Sequence, residues 1–243
     1  AFFVLYWRRE PPAVMSVKEA LPVDRTLNHS VLNDLRSIAA VLFSLLLFFQ
    51  FGNEWALASW LPLFLIHRLG SSPVSAIFVL AAYFVSLLLG RFIAQLLLAH
   101  VSHTRLLVTS ITAAMFGYLL LSSTNSLLGA AAAAVLTGLS LAPVYPLVAE
   151  KIGRRFDYEP GFFNGIFSVA IMGGMLAPWL LGYVEHYLGM RYVLLLPAFG
   201  TVAVLILMLL LMLEAKLMGT PERPSNPGSR QEQESRSVSR NGI

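Results

Sequence analysis

The chain has 243 residues, of which 57% are apolar and 12% are charged, with a formal net charge of +4 and no cysteine. Soluble globular proteins carry about 25% charged residues, so the composition excludes an ordinary water-soluble domain, a disordered chain and a nucleic-acid-binding module. The absence of cysteine excludes a disulfide scaffold, a cysteine-ligated zinc site and a cysteine nucleophile.

The first segment, residues 1–6, is apolar and is followed by Arg8 and Arg9. A signal peptide carries its positive charges before its apolar part. Because the order here is reversed, we interpret residues 1–6 as the end of a transmembrane helix that begins upstream, and the chain as a fragment. Residues 7–36 form a polar linker that contains Pro11, Pro12 and Pro22.

Six apolar blocks follow the linker. A membrane-spanning helix needs about 20 mostly apolar residues, and the blocks that meet or approach this length are residues 37–66, 73–98, 106–121, 127–149, 161–184 and 191–213. Their apolar runs do not alternate with a period of two, so they are not the strands of a membrane barrel. We therefore predict an all-α membrane protein in which residues 37–213 form a six-helix bundle across the lipid bilayer. Residues 214–243 form a tail, which is too polar to fold from about residue 219 onwards.

Lysine and arginine are concentrated in the linker, in every second connection and in the tail. The connections between them contain only Arg68 and, at its border, Arg191. Cytoplasmic loops of membrane proteins collect positive residues. We therefore expect a multi-pass protein of the cell membrane, inner or plasma membrane, with both ends of the chain in the cytoplasm.

The strongest polar signal lies in the first block. Gln50, Asn53 and Glu54 are spaced i, i+3 and i+4, so in a helix they share one face, near the middle of the membrane. An ionisable group at that depth costs at least about 2.5 kcal/mol and usually faces a cavity or a partner. We predict that the three line the path of a solute, that Glu54 binds a proton, and that Trp55 and Trp60 stack on a sugar ring. In the alternative reading, Glu54 only pairs with a neighbouring helix or lies nearer the outer surface of the membrane.

Two further sites are candidates for gating. Arg91 follows Gly90 near the cytoplasmic end of the second block, where it either reaches the lipid headgroups or holds helix ends together across a gate. Pro143 and Pro146 in the fourth block each remove a backbone donor and bend or loosen a helix. Tyr145 between them either faces a cavity or packs with its hydroxyl bonded.

The fifth block is rich in small residues, which let helices approach closely. They are Gly161, Gly165, Gly173 and Gly174. Asn164 in the same block either reaches the central path or caps the helix on the cytoplasmic side.

The sequence contains no pattern typical of an enzyme. His100 and His103 lie three residues apart without a third ligand nearby, and a zinc site needs three or four ligands. Neither a nucleophile–base motif nor a phosphate-binding loop occurs. We therefore expect no catalytic residue, no metal and no other cofactor.

Six helices with both ends inside, preceded by a basic linker and the end of another helix, resemble the C-terminal half of a major facilitator superfamily transporter. The resemblance extends from residue 1 to about residue 216. Residues 90–94 with 105–107 are similar to the connection between helices eight and nine, although residues 99–104 lack the usual acidic residue. Residues 138–146 resemble helix ten, and the glycines of residues 161–182 with Pro178 resemble helix eleven.

Residues 50–54 (QFGNE) and 58–62 (ASWLP) further resemble the seventh helix of fucose–proton symporter-like members. This resemblance implies alternating access between two six-helix halves, with a sugar or similar polar solute coupled to protons. The implied partners are the lipid bilayer, the missing N-terminal half and a small-molecule solute. The best-known coupling carboxylates of those symporters lie in the N-terminal half, so none can be assigned here.

Other functions remain open at this point. In a second reading, the protein carries another small solute, such as a drug or an organic anion. A non-transporting scaffold would tolerate apolar replacements along residues 50–54. A half-size transporter that works as a dimer would begin just before residue 1, which the partial helix at residues 1–6 argues against.

Overall fold

The computed structural model describes residues 38–156 and 160–217. The predicted helix end at residues 1–6, the linker at 7–36 and most of the tail lie outside these residues. The described helices are α1 (Ile38–Leu69), α2 (Pro73–Leu98), α3 (His103–Ser123), α4 (Leu127–Leu141), α5 (Val144–Arg155), α6 (Pro160–Leu188), a short 3-10 helix (Met190–Tyr192) and α7 (Leu195–Leu217).

Six helical segments are long and apolar enough to cross a membrane, with α4 and α5 together forming one of them. The described residues contain no strand. The predicted fold class, an all-α membrane protein with six spanning helices, is confirmed.

The fourth block, predicted as one helix over residues 127–149, is divided. α4 ends at Leu141 and α5 begins at Val144, because Pro143 between them has no amide hydrogen to continue the helical ladder. α5 then continues past the predicted end to Arg155. Proline does not break every helix of the bundle, since α6 continues through Pro178.

α1 lies at the centre of the packing, against α6, α7 and α2. At its crossing with α6 the two backbones touch. A Cβ atom added to Gly173 would overlap the carbonyl oxygen of Phe48, and a Cβ atom added to Gly52 would lie 3.3 Å from the carbonyl oxygen of Gly173. The indole of Trp60 donates a hydrogen bond of 3.0 Å to the carbonyl oxygen of Pro178. Position 173 therefore requires glycine, because the two helices approach each other at backbone distance.

α4 is the second packing centre, between α2 and α3. A Cβ atom added to Gly90 of α2 would lie 2.7 Å from the carbonyl oxygen of Leu139, and one added to Gly117 of α3 would overlap Thr137. Small residues thus let α4 approach both neighbours at backbone distance.

The interior has two main apolar clusters. One surrounds the beginning of α1 and the ends of α2 and α7, and the other surrounds the end of α1 and the beginnings of α2 and α7. We call the corresponding ends of the bundle the Glu150 end and the Arg68 end. Gln50 and Asn53 lie on α1 between the residues of the two clusters.

Candidate functional site

Two of the three polar residues in the middle of α1 are buried. Gln50 is 1% exposed and Asn53 is 4% exposed. The amide nitrogens Nε2 of Gln50 and Nδ2 of Asn53 have no hydrogen-bond partner among the described residues. An unsatisfied buried donor costs about 1–3 kcal/mol, so both amides are available to a partner that accepts a hydrogen bond.

Tyrosines from two neighbouring helices bond to the backbone of α1 at this level. The hydroxyl of Tyr118 on α3 donates to the carbonyl oxygen of Asn53 at 2.8 Å. The hydroxyl of Tyr83 on α2 donates to the carbonyl oxygen of Glu54 at 3.3 Å. Both tyrosine side chains are fully buried. These bonds fix the position of α1 between α2 and α3.

Glu54 differs from Gln50 and Asn53 because it is only partly buried. It is the one carboxylate in the middle of a spanning helix among the described residues. The guanidinium of Arg91 on α2 is near enough to the Glu54 carboxylate and to the Tyr145 side chain for its charge to act on both. No ion pair within 4 Å joins Glu54 to Arg91 in the described part of the chain. The opposite charges of Glu54 and Arg91 therefore act on each other over more than 4 Å.

Three aromatic rings form a cluster on the same part of the bundle, since Phe51 lies one helical turn before Glu54 and the charge of Arg91 acts on Tyr145. Phe51 on α1, Tyr145 on α5 and Phe167 on α6 meet edge to face, with ring centroids 5.4–5.5 Å apart. Edge-to-face contacts are a favourable geometry for aromatic pairs. All three rings keep part of their surface exposed. We call the surface made of Glu54, Arg91, Phe51, Tyr145 and Phe167 the Glu54 face.

The remaining predicted residues are dispersed. Trp55 is 55% exposed, and its ring lies against α6, where a Cβ atom added to Gly174 would be 2.8 Å from its Cδ1. Asn164 is exposed near the beginning of α6. Pro143 is buried at the break between α4 and α5, and Pro146 is exposed. Of the predicted solute path, the structure brings Glu54 and Tyr145 to one surface and leaves the other residues elsewhere.

A cavity of about 210 Å³ lies between α1, α6 and α7. Asn53 is its only lining residue with a polar side chain, and Phe48, Leu176 and Phe199 are among the others. An apolar wall with one amide does not suit a solute with several hydroxyl groups. The Glu54 face, with two charges and a hydroxyl, suits such a solute better.

Sequence reasoning missed Tyr83, Tyr118, Phe51 and Phe167. A tyrosine inside an apolar block is a usable signal, because a buried hydroxyl needs an acceptor. Which acceptor it finds depends on helix packing. The two phenylalanines carry no signal of their own in a chain with 16 of them.

Residues 43–242 match the sequence model of the Major Facilitator Superfamily. The chain belongs to this family. None of the curated proteins is similar enough to the chain to count as a match.

Solved structures of a fucose:proton symporter and of peptide transporters share the fold. The E. coli fucose:proton symporter FucP is 18% identical, with a TM-score of 0.67 over 86% of this chain and 51% of its own. A peptide transporter, POT, in complex with sulfate is 16% identical, with a TM-score of 0.65 over 82% of this chain and 43% of its own. Tetrameric PepTSo2 is 16% identical, with a TM-score of 0.64 over 88% of this chain and 47% of its own.

The chain thus spans about half the length of the transporters that it matches. Its likeness to a fucose symporter and to peptide transporters is similar in degree. The similarity to these structures shows the fold of the chain and does not indicate which substrate it carries.

Proposed function

We propose that the protein is a secondary active transporter that moves a small polar solute by alternating access, with the Glu54 face lining the path. The observation that carries the proposal is the pair of opposite charges, Glu54 and Arg91, held without a direct contact on a partly exposed surface of a membrane-spanning bundle. Family membership supports the same class of function.

Charges within the membrane are expensive and in membrane proteins face a cavity or one another. A separated Glu54 and Arg91 leave hydrogen-bonding capacity that a solute with hydroxyl or carboxylate groups satisfies. Charge-assisted hydrogen bonds are about twice as strong as neutral ones. The rings of Phe51 and Tyr145 beside them offer an apolar surface for the ring of a sugar.

Alternating access requires two bundles that rock about a site near the midplane. On this proposal the present bundle supplies one wall of the path, and a second six-helix half of the same protein supplies the other. The carboxyl group of Glu54 binds and releases a proton as the solute moves. The Glu150 end faces the cytoplasm, because most of the basic residues of the described connections lie there.

A sugar is the first candidate for the solute, since residues 50–54 and 58–62 resemble the seventh helix of fucose–proton symporter-like members. An organic anion is the second candidate. Arg91 favours it, because this exposed guanidinium lies on the Glu54 face and presents a positive charge that no carboxylate contacts directly among the described residues.

The test uses the full-length protein in liposomes. Uptake of labelled monosaccharides and of labelled organic anions is measured with and without an inward proton gradient, for the wild type, Glu54→Gln and Glu185→Gln. Glu185 is a matched control, because it is a carboxylate near the Arg68 end, away from the Glu54 face.

We expect Glu54→Gln to lower gradient-driven uptake at least tenfold, whereas Glu185→Gln leaves it unchanged. If Glu54→Gln changes neither affinity nor uptake, Glu54 is not part of the mechanism. Absence of uptake for both solute classes by the wild type contradicts the proposed substrates. A preference for the anions over the sugars selects the second candidate.

A further inference from the structure

A polar cavity of about 750 Å³ opens at the Arg68 end of the bundle, away from the Glu54 face. Three separate parts of the chain build it, namely the end of α1, the connection between α3 and α4, and the turn before α7. Its lining residues are Arg68, Ser122, Ser123, Asn125, Arg191, Tyr192 and Leu195. We propose that this cavity binds a phosphate group, supplied either by the headgroup of a membrane lipid or by free inorganic phosphate.

The cavity contains two positive charges and no negative one. The guanidinium groups of Arg68 and Arg191 repel each other. Neither forms an ion pair with a carboxylate within the two described stretches of the chain. The Nη1 atom of Arg68 is buried and has no hydrogen-bond partner there. Two like charges held together with an unpaired buried donor favour the binding of an anion, which would offset the repulsion and accept the hydrogen bond.

A glycine in a left-handed conformation lies close to each arginine in the chain. Gly70 ends α1 with a φ of 63°, and Gly189 ends α6 with a φ of 86°. Glycine adopts these left-handed conformations without the steric cost that a side chain brings. Each glycine lies two residues from one of the arginines. Arg68 is also held over the ring of Phe64, with its Cζ atom 5.3 Å from the ring centroid, which is within the range of a cation–π contact.

The donor set suits phosphate better than a monatomic anion such as chloride. A guanidinium presents two parallel N–H groups that match two oxygens of one phosphate. The amide of Asn125 and the hydroxyl of Tyr192 add donors, and neither side chain has a partner in the described part. Ser123 donates to the carbonyl oxygen of Leu119 at 2.7 Å, so its hydroxyl is already in use.

The position of the cavity suits a lipid headgroup. It lies where α1 ends and α7 begins, and the ends of spanning helices reach the headgroup layer of the bilayer. A free phosphate ion offers the same oxygens without the lipid tails. The phosphate group can therefore come from a lipid or from the free ion, and the experiment must distinguish the two.

The test uses the full-length protein, purified in a phosphate-free detergent. Lipid binding is measured by native mass spectrometry with phosphatidylglycerol, and with a galactolipid of the same tails that lacks phosphate. Ion binding is measured as the rise in thermal-unfolding midpoint on adding inorganic phosphate, against chloride at equal ionic strength. The variants are Arg68→Lys, Arg191→Gln and, as a matched control at the Glu150 end, Arg105→Gln.

We expect the wild type to bind phosphatidylglycerol over the galactolipid if a lipid is the source, or to be stabilised by inorganic phosphate if the free ion is the source. Either result supports the site provided that Arg68→Lys and Arg191→Gln each weaken the effect at least tenfold, about 1.4 kcal/mol, and that Arg105→Gln does not. Equal binding by the wild type and both cavity variants overturns the proposal. So does the absence of binding with both probes.

A second readout separates binding from a structural role. Without lipid or phosphate, Arg191→Gln removes a repulsion, so its unfolding midpoint should equal or exceed that of the wild type. With the effective probe present, the order should reverse. If the midpoint of Arg191→Gln is below that of the wild type in both conditions, Arg191 only stabilises the fold, and the proposal is overturned.

Discussion

Two arginines at the Glu150 end are paired with carboxylates, whereas the two arginines of the cavity at the Arg68 end are not, among the residues that the structure describes. At the Glu150 end, Arg154 lies 2.5 Å from Glu150, and Arg155 lies 2.6 Å from Glu214 across the gap between α5 and α7. At the Arg68 end, the two arginines of the cavity have no carboxylate within ion-pair distance in the described part of the chain. The pair of Arg155 and Glu214 joins two helices, and the pair of Arg154 and Glu150 lies within α5, whereas unpaired charges are available to a ligand. The comparison predicts that neutralisation destabilises one end and stabilises the other.

The largest effect is expected for Glu214→Gln. The Glu214 side chain is 12% exposed and the Arg155 side chain 25% exposed, so water screens this pair little. Hydrogen bonds to charged groups contribute about 1.5–3 kcal/mol, and we expect the free energy of unfolding to fall by about 2 kcal/mol. Thermal or denaturant unfolding in detergent measures it. Glu185→Gln serves as the control, and an equal loss for both variants would remove the pair from the comparison.

A smaller effect of opposite sign is expected for Arg191→Glu in the absence of lipid and phosphate. The new carboxylate attracts the Arg68 guanidinium, which Arg191 repels in the wild type. Arg68 then has an ion-pair partner, as Arg154 and Arg155 have at the Glu150 end. Exposed ion pairs contribute about 0.2–1 kcal/mol, so the unfolding free energy should rise by about 0.5 kcal/mol. A fall measured by the same unfolding experiment would show that Arg191 has a different local partner.

The smallest effect is expected for Arg154→Ala. Arg154 and Glu150 form an exposed pair one helical turn apart on α5, and such pairs contribute about 0.3–0.5 kcal/mol. The loss should largely disappear in 1 M salt, where the Debye length is about 3 Å. A loss that does not depend on salt would indicate that Arg154 acts through packing.

The architecture was accessible from the sequence because lipid imposes a simple rule. Every backbone group in the bilayer must be satisfied internally, so long apolar blocks predict helices and their number. The division of the fourth block was harder to foresee. Pro143 stops α4, whereas Pro178 leaves α6 continuous, and the difference depends on packing around each proline rather than on the residue itself.

The candidate site was predicted only in part. The spacing of Gln50, Asn53 and Glu54 predicts one helix face, but the structure buries the first two and leaves the third partly exposed. Exposure depends on which neighbouring helix covers each residue, and the spacing contains no such information. Arg68 and Arg191 are far apart in the sequence, so their meeting in one cavity follows from tertiary structure alone.

The two hydroxyl bonds to the backbone of α1 limit how this helix can move. Tyr83 and Tyr118 reach consecutive carbonyl oxygens from helices on different sides. A piston-like shift of α1 along its axis by one residue, about 1.5 Å, would pull both oxygens away from their donors at the same time. A tilt of the whole helix group as one body leaves both donor–acceptor distances unchanged. The two hydrogen bonds therefore oppose axial sliding of α1. They do not oppose a movement of the whole group of helices as one body.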